Sequence, residues 1–271
     1  MNTMNSSAET PFINVVAGIV LNQEGDYLLS SRPAGKPYAG YWEFAGGKVE
    51  AGESDLAALK REFEEELGIE IHHATPWLSK LYHYEHATVS LRFFRVQSED
   101  WSGELQAREG QNWSWQKAGD FDVSPMLPAN GSILTALAVP CELSGNLNTG
   151  FRGENRMGEY RVVPFVKAEP HHQRVLITES QLRARSKLPK ADSVWVAIET
   201  PEQFDRVLDA DVVVAAVHSE SMAEWVVQRL AQGVSQPLVV LADEPFFSQY
   251  RNHWQQAGAQ AVVWNNEIET V

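Results

Sequence analysis

The sequence predicts an α/β protein made of two domains joined by a linker. Residues 1–139 place strand-like segments around one strongly charged helix, and residues 173–271 alternate apolar strands with amphipathic helices. Between them, residues 140–157 are rich in Ser, Asn and Gly and hold few apolar side chains, so we predict a linker over 140–172. A chain of 271 residues is long enough for two domains of ordinary size.

The composition is that of an ordinary globular protein with an acidic balance. Hydrophobic residues make up 44% of the chain, and the net charge is −14 at pH 7. This balance lacks the basic surface of proteins that bind polymeric nucleic acid. The apolar run 12–21 is too short to span a bilayer, and the single cysteine, Cys141, excludes an internal disulfide. We expect a cytoplasmic protein with neither a nucleic-acid polymer nor a membrane as partner, and the oligomeric state is left open.

The first domain begins with a hairpin of apolar, β-branched strands and continues through a Gly46-Gly47 pair. These glycines let the backbone turn sharply and approach a ligand closely. A helix and further strands follow, which favours an α/β arrangement. The predicted segments are strands at 12–21 and 27–31, a Pro/Gly loop at 32–40, strands at 41–44, 75–85, 88–97 and 110–115, and a last helix at 125–138.

One amphipathic helix is predicted between Ser54 and Gly68. Ser54 is a good N-cap, the residues after it are strong helix formers, and Gly68 is a natural C-terminal stop. Apolar residues recur at three- and four-residue steps, which predicts a buried stripe. The stripe comprises Leu56, Leu59, Phe63 and Leu67.

The helix carries an acidic face made of Glu62, Glu65 and Glu66, which stand at i, i+3 and i+4. Like charges at this spacing repel by roughly 0.2–0.5 kcal/mol per pair. They also lie in the last turns, where the helix dipole disfavours anions by roughly 0.3–1 kcal/mol each. A hard divalent cation with oxygen ligands would offset both costs. The alternative for three glutamates alone is a solvated acidic surface.

The spacing of the whole stretch from Gly47 to Ile69 carries a resemblance. It follows the pattern G-x5-E-x7-R-E-U-x-E-E-x-G-U, with U an apolar residue, at every fixed position. This stretch resembles the Nudix box, a loop–helix–loop that binds divalent metal and cleaves nucleoside diphosphates linked to another group. The resemblance implies an α/β/α sandwich with a mixed sheet for the N-terminal domain, and Mg²⁺ or Mn²⁺ as the cofactor.

The resemblance also implies roles for individual residues. Glu65 and Glu66 would bind the first metal, Glu62 would ligate through water or accept a proton, and Glu109 is an alternative base or a ligand of a second metal. Glu53 would pair with Arg61 and fix the loop against the helix, as a supporting part of the catalytic set. Lys48 would face a phosphate. The implied metal-site residues are Gly46 (through its carbonyl), Glu62, Glu65, Glu66 and Glu109.

Within the family, residues 12–138 resemble the MutT type. Arg32 stands soon after the second strand, Phe44 precedes the glycines, and Asn130 stands near the start of the last helix. The resemblance places these three around a purine base, since an Asn amide can donate and accept hydrogen bonds together. Each has an ordinary alternative: a surface arginine, a core phenylalanine, and an N-cap asparagine. Glu109 could likewise be solvated.

These residues lead to a predicted function and three alternatives. The leading prediction is a metal-dependent nucleoside triphosphate pyrophosphohydrolase that converts 8-oxo-dGTP to 8-oxo-dGMP and pyrophosphate, a sanitation of the nucleotide pool that supports DNA repair. The first two alternatives are hydrolysis of a thiamin-pathway pyrophosphate and hydrolysis of a nucleotide sugar. The third is a regulator that binds a nucleotide without cleaving it, which the intact set Arg61, Glu62, Glu65 and Glu66 argues against.

The second domain alternates about five strands with four helices, which predicts a mostly parallel sheet. A closed (β/α)8 barrel needs eight strands and usually about 250 residues, so this half resembles an incomplete TIM barrel. Residues 174–264 faintly resemble thiamin-phosphate synthase. Asp243 and Glu244 follow a late strand where such barrels hold phosphate, and their charges would repel one. We therefore expect a degenerate, non-catalytic domain.

Overall fold

A computed structural model describes residues 11–83, 87–117, 119–185 and 187–266 of the chain. Residues 84–85 of the predicted strand at 75–85 lie outside this part. The helices are α1 (Asp55–Leu67), α2 (Gly131–Leu137), α3 (Glu179–Arg183), α4 (Glu220–Gln232) and α5 (Phe246–Ala257), with 3-10 turns at Pro128–Asn130, Phe165–Lys167 and Pro201–Arg206.

Seventeen strands are present in the described part of the chain. In the N-terminal half they are β1 (Phe12–Val20), β2 (Tyr27–Ser31), β3 (Trp42–Glu43), β4 (Gly46–Lys48), β5 (Glu70–Ile71), β6 (Thr75–His83), β7 (Thr88–Val96), β8 (Trp101–Ser102) and β9 (Trp113–Gln116). In the C-terminal half they are β10 (Leu143–Asn146), β11 (Gly150–Asn155), β12 (Gly158–Pro164), β13 (Arg174–Thr178), β14 (Ser193–Ile198), β15 (Val212–Val217), β16 (Leu238–Ala242) and β17 (Ala261–Trp264).

The N-terminal half is built on a four-stranded sheet in the order β4-β1-β7-β6. Strands β1 and β7 run parallel while the other neighbours are antiparallel, so the sheet is mixed, as expected. Side chains alternate between the two faces of each strand. Val16 and Phe94 therefore pack under α1, whereas Ala17 and Phe93 share a second core with α2.

Helix α1 forms where the sequence places it. The Ser54 hydroxyl accepts a hydrogen bond from the Ala57 amide at 3.2 Å, and Gly68 ends the helix with a left-handed φ of 71° that glycine adopts without strain. One member of the predicted stripe is wrong, because Leu56 in the first turn is 37% exposed. The buried residues of the helix are Ala58, Leu59, Phe63 and Leu67.

The segment predicted as a linker is folded. Most of residues 143–164 form the antiparallel strands β10, β11 and β12. Several of its apolar side chains, among them Phe151, Tyr160 and Val162, are almost fully buried. The glycines of this segment lie within the strands, and short turns at 147–149 and 156–157 connect them. The segment thus has a glycine content typical of a linker but forms two hairpins.

These three strands continue into the parallel strands and make one eight-stranded sheet in the order β10-β11-β12-β13-β14-β15-β16-β17. The first and last strands come together, since the Asn146 amide donates to the Asn266 carbonyl at 3.4 Å. The C-terminal half is thus a nearly closed, barrel-like sheet, more complete than the five strands expected from the sequence. Phe151, Tyr160 and Trp195 contact one another in its interior.

The two halves share one hydrophobic core. Trp77 and Leu78 of β6 belong to the same buried cluster as Val234 and Trp254 of the C-terminal half. The Ser79 amide donates to the Val234 carbonyl at 2.8 Å, which adds a backbone bond across the seam. The C-terminal half is therefore docked on β6 rather than tethered beside it. No helix among the described residues is long and apolar enough to cross a membrane.

Candidate active site

Strand β4 depends on its two glycines, Gly46 and Gly47, because neighbouring groups leave no room for a side chain. A Cβ on Gly46 would lie 2.0 Å from the Val16 carbonyl oxygen, and a Cβ on Gly47 would lie 2.0 Å from the carboxyl carbon of Glu62. The Glu62 carboxylate consequently rests against the backbone of β4. The sequence pattern brings its first glycine and a central glutamate into direct contact.

Arg61 connects the loop before α1 to the acidic face of that helix through several hydrogen bonds. Its Nε and Nη2 donate to the two Glu53 carboxylate oxygens, each at 3.0 Å, so the expected pair is present. Its Nη1 donates to Glu62 at 2.8 Å and to Glu65 at 3.3 Å, and its Nη2 also reaches the Lys48 carbonyl at 3.0 Å. The hydrogen bonds from Arg61 are the main reason that the pKa of Glu53 is lowered.

Glu66 has the most perturbed carboxyl group of the box. Its side chain is only 15% exposed, and burial raises its pKa to about 7. The Lys36 ammonium opposes this shift, whereas the nearby carboxylates of Glu109 and Glu62 add to it. Lys36 Nζ lies 2.7 Å from a Glu109 oxygen and 3.6 Å from a Glu66 oxygen. Carboxylates from α1 and from the loop before β9 are thus brought together around one cation.

Gln111 holds Glu109 next to the end of α1. Its Nε2 donates to the Glu66 carbonyl at 2.7 Å, and its Oε1 accepts from the Glu109 amide at 2.9 Å. Gln111 is 4% exposed, and a buried polar side chain is expected to be hydrogen-bonded in this way. The sequence pointed to its segment but gave no signal for this positioning role.

Arg32 is anchored at a carboxylate that the sequence analysis did not single out. Its Nη1 donates to both oxygens of Glu43 at 2.8 Å, and its Nε donates to the Pro37 carbonyl at 2.7 Å. Burial raises the pKa of Glu43, and Arg32 opposes that shift. The pair fixes the loop that carries Lys36, so Arg32 is not a loose surface arginine.

Phe44 and Asn130 lie together on the face of the sheet opposite α1. Phe44 is 4% exposed and meets Phe93 edge to face at 6.2 Å, so it belongs to the core. Asn130 is 3% exposed, and its Nδ2 lies 3.5 Å from the Trp42 carbonyl. Asn130 stands at the N-cap position of α2, but its side chain makes no capping hydrogen bond to the helix.

Tyr82 supports the turn that carries Asn130. Its hydroxyl donates to the Ala129 carbonyl at 2.7 Å, linking β6 to the 3-10 turn Pro128–Asn130. The two residues are 47 positions apart in the chain, so no local pattern could have indicated this contact. Lys48 lies exposed at the end of β4, one residue from the glycine pair.

Comparison with known proteins places these residues in a family. The model of the NUDIX domain matches residues 11–137. The 8-oxo-dGTP diphosphatase of Haemophilus influenzae is 39% identical over 125 residues, which are 46% of this chain and 90% of that protein. The chain belongs to the Nudix family. Relatives named for their action on nucleoside triphosphates make it a Nudix hydrolase, an enzyme that acts on phosphorus anhydrides.

The names of other relatives include a second substrate, CTP, as well as 8-oxo-dGTP. The CTP pyrophosphohydrolase of Escherichia coli is 40% identical over 124 residues, covering 46% of this chain and 90% of that protein. The 8-oxo-dGTP diphosphatase of the same organism is 30% identical, covering 46% and 95%. The solution structure of the E. coli ORF135 protein shares 38% identity and covers 47% of this chain and 89% of its own, with a TM-score of 0.39.

Nudix hydrolases generally use divalent metal ions, and the donor set fits such an ion. Among the described residues, no three carboxylate, histidine or cysteine side chains already form a metal cage. The carboxylates instead engage Lys36 and Arg61. Burial is the main cause of the raised pKa of Glu66, and the nearby carboxylates of Glu109 and Glu62 add to it, so a further cation would be favourable there. Oxygen donors in that surrounding suit a hard cation such as Mg²⁺ or Mn²⁺.

Proposed function

We propose that the protein is a metal-dependent nucleoside triphosphate pyrophosphohydrolase, with 8-oxo-dGTP as its substrate and 8-oxo-dGMP and pyrophosphate as its products. The observation that carries the proposal is the mostly buried Glu66 carboxylate near the end of α1, which has the carboxylates of Glu62 and Glu109 close to it. A glutamate beside other carboxylates and only 15% exposed is costly for a folded protein without a function for the charge. The names of two relatives support the choice of substrate.

The metal would be held by Glu65, Glu66 and the Gly46 carbonyl, with Glu62 and Glu109 close by. When bound, a divalent cation supplies positive charge for the phosphates and makes water more acidic. The protein's own task is to accept the proton of the attacking water, which Glu62 or Glu109 performs as general base. Which of the two does so is open to test.

The lysines and the Arg61 network complete the phosphate end of the site. Lys36 now lies between Glu66 and Glu109, and Lys48 is exposed beside the glycine turn. Both ammonium groups are able to turn to a triphosphate, which carries several negative charges. Glu53 keeps Arg61 fixed, and Arg61 in turn holds Glu62 and Glu65 in place.

Base recognition is assigned to Asn130, with Phe44 and Arg32 shaping the pocket. Among the residues that the structure describes, the Asn130 amide makes one long hydrogen bond, at 3.5 Å, although it is almost fully buried. A buried amide with spare donor and acceptor capacity suits the edge of a purine. Phe44 provides an apolar wall, and Arg32 acts through Glu43 and the loop that follows.

All of the chemistry is placed in residues 1–139, and residues 173–271 are taken as non-catalytic. The strand ends that would bear a site in a parallel barrel are occupied by internal bonds. Asp243 accepts hydrogen bonds from the side chains of His218 and Asn265, each at 2.5 Å. A thiamin-pathway pyrophosphate or a nucleotide sugar therefore has less support as the substrate.

A second candidate substrate is CTP, because a relative named CTP pyrophosphohydrolase is as similar as those named 8-oxo-dGTP diphosphatase. The deciding experiment is a panel of 8-oxo-dGTP, dGTP, CTP, dCTP and thiamin diphosphate, assayed with Mg²⁺ for release of pyrophosphate or phosphate. We expect the highest kcat/KM for 8-oxo-dGTP. A higher kcat/KM for CTP would make CTP the substrate in place of 8-oxo-dGTP. Nucleotide binding without turnover would favour a regulator that does not cleave its nucleotide.

A further inference from the structure

A cavity of about 400 Å³ lies at the seam between the Nudix half and the barrel-like half. This volume is within the range of small-molecule sites. Its walls come from β6 and α2 on one side and from the amino ends of β13 to β16 on the other. The polar residues that line it and carry the argument are Lys80, Ser132, Thr135, Arg174, Asp192 and Asp211.

Two basic side chains from different halves line the cavity. Lys80 is half-buried, and within the described part of the chain its ammonium makes no hydrogen bond or ion pair. Burial lowers its pKa, and the carboxylate of Asp211, which also lines the cavity, opposes that shift. Arg174 is the second cation, with its guanidinium 4.1 Å from the ring centre of the buried Tyr160. Neither cation forms an ion pair with another described residue, although Asp211 is near enough to act on Lys80.

Two carboxylates line the cavity as well. Asp192 and Asp211 are both exposed, and Asp211 uses one carboxylate oxygen to accept the Val194 amide at 2.7 Å. Lys80 and Arg174 are only partly exposed, so the lining has two positive and two negative side chains, with the negative ones more accessible to solvent. The complementary ligand is a small molecule that is anionic at one end and cationic at the other.

We propose that this cavity binds a small zwitterion, with its anionic group between Lys80 and Arg174 and its cationic group near Asp192 and Asp211. The ligand would touch both halves at once. It would therefore stabilise their docked arrangement by an amount that rises with the logarithm of its concentration above Kd.

The cavity also lies next to the residues that hold Asn130 in place. The consequence for substrate binding rests on the proposed function, in which Asn130 contacts the base. Ser132 and Thr135 of α2 line the cavity, and α2 directly follows Asn130. Lys80 and Tyr82 project from the same face of β6, since they are two residues apart on a strand. Tyr82 holds the turn of Asn130. Occupancy of the cavity would thus change the affinity for substrate more than the rate of the chemical step.

Calorimetric titration of the full chain with a chelator present tests the binding. The chelator keeps metal from the active site, whose clustered carboxylates then repel anions. The probes are O-phosphoethanolamine, inorganic phosphate and ethanolamine at equal ionic strength. We expect O-phosphoethanolamine to bind, phosphate to bind at least roughly tenfold more weakly, and ethanolamine not to bind. Equal affinity for phosphate and O-phosphoethanolamine, or binding of none, would overturn the proposal.

Variants assign the binding to the cavity. Lys80→Met should weaken O-phosphoethanolamine by roughly tenfold or more, and Lys80→Arg should restore most of the affinity. Lys117→Met, at an exposed position away from the cavity, is the matched control. Asp192→Asn, at an exposed position of the lining, should lower the affinity for O-phosphoethanolamine but not for phosphate. Wild-type binding by Lys80→Met would show that the ligand sits elsewhere.

Kinetics with Mg²⁺ test the link to the base pocket separately. Saturating O-phosphoethanolamine should change the KM for the preferred nucleotide in the wild type but not in Lys80→Met, with kcat unchanged. If O-phosphoethanolamine binds without changing KM, the coupling to the base pocket is rejected, but the binding site itself is retained. Absence of turnover with any nucleotide would defeat the proposed function, while the titration result would still stand.

Discussion

Two glutamates with little solvent exposure, one in each half, differ in the groups that surround their carboxylates. Glu179 of the C-terminal half has a side chain that is 3% exposed, and it accepts hydrogen bonds from Gln203 at 3.2 Å and Arg206 at 3.3 Å. Glu66 of the Nudix half is 15% exposed, its nearest cation is Lys36 at 3.6 Å, and two carboxylates stand close to it. Under the proposed function, the first charge serves the fold and the second binds a ligand.

The same contrast holds for the edges where each half could hold a site. At the ends of β15, β16 and β17, the carboxylate of Asp243 is bonded to His218 and Asn265. At the end of α1, by contrast, Lys36 is shared between Glu66 and Glu109 and is itself on a loop. A site that binds metal and phosphate needs ion pairs that can be exchanged for the incoming ligands. The predictions below test this contrast, from the largest expected effect to the smallest.

Removing the C-terminal half should have the largest effect on stability. Residues 1–139 alone would expose Trp77 and Leu78, and burying each such side chain contributes roughly 1.5–3 kcal/mol. We expect the fragment to lose roughly 3–6 kcal/mol of unfolding free energy by that estimate. Urea denaturation of the fragment and of the full chain measures the difference. A fragment as stable as the full chain would show that the shared core contributes little.

Glu66→Gln should abolish most of the activity while leaving the fold intact. A metal ion contributes several kcal/mol of charge stabilisation, so losing a ligand should lower kcat/KM by roughly a hundredfold or more. The metal-free protein should melt at a higher temperature, because an enclosed and poorly compensated charge is gone. Glu64→Gln, an exposed glutamate on the same helix, is the control and should change neither quantity. Wild-type turnover by Glu66→Gln would remove the ligand role.

Asn130→Ala should separate recognition from chemistry. Losing a contact to the base edge costs roughly 1–3 kcal/mol, which corresponds to about a ten- to hundredfold lower kcat/KM for the preferred purine. Poor substrates should lose less, so the ratio of kcat/KM for 8-oxo-dGTP over dGTP should fall. The melting temperature should change little, because the side chain does not cap α2. An unchanged ratio would exclude the recognition role.

Glu179→Ala should have the smallest effect, and it should lower stability rather than activity. The variant leaves Gln203 and Arg206 without their buried acceptor, which costs roughly 1–3 kcal/mol of stability. Arg206 is half-exposed and turns to solvent, so the lower end of that range is expected. Steady-state kinetics should be unchanged. A large loss of activity at constant stability would tie this glutamate to the chemistry.

Local patterns predicted much of the Nudix half. The caps, spacing and apolar steps of α1 depend on residues within a few positions of one another, and the structure follows them from Ser54 to Gly68. The pairing of Glu53 with Arg61 spans only eight residues. The exception is Leu56, which has an apolar side chain but lies in the first turn, beyond the covering sheet.

The contacts that sequence reasoning missed are distant in the chain. Lys36 and Glu109 are 73 residues apart, and Gln111 reaches Glu66 over 45 residues. No spacing rule connects such positions, because the sheet brings them together only after folding. The segment 143–164 was misread for another reason, since its glycines and asparagines are typical of a linker although its apolar residues alternate along two of the strands.

The central claim is that Glu66 belongs to a metal site and Glu179 does not. Binding of Mn²⁺, followed by the electron paramagnetic resonance signal of the free ion, tests it in wild type, Glu66→Gln and Glu179→Gln. The account predicts that the wild type and Glu179→Gln remove Mn²⁺ from solution with equal affinity, while Glu66→Gln binds it at least roughly tenfold more weakly. Equal affinity in Glu66→Gln and wild type would contradict the account.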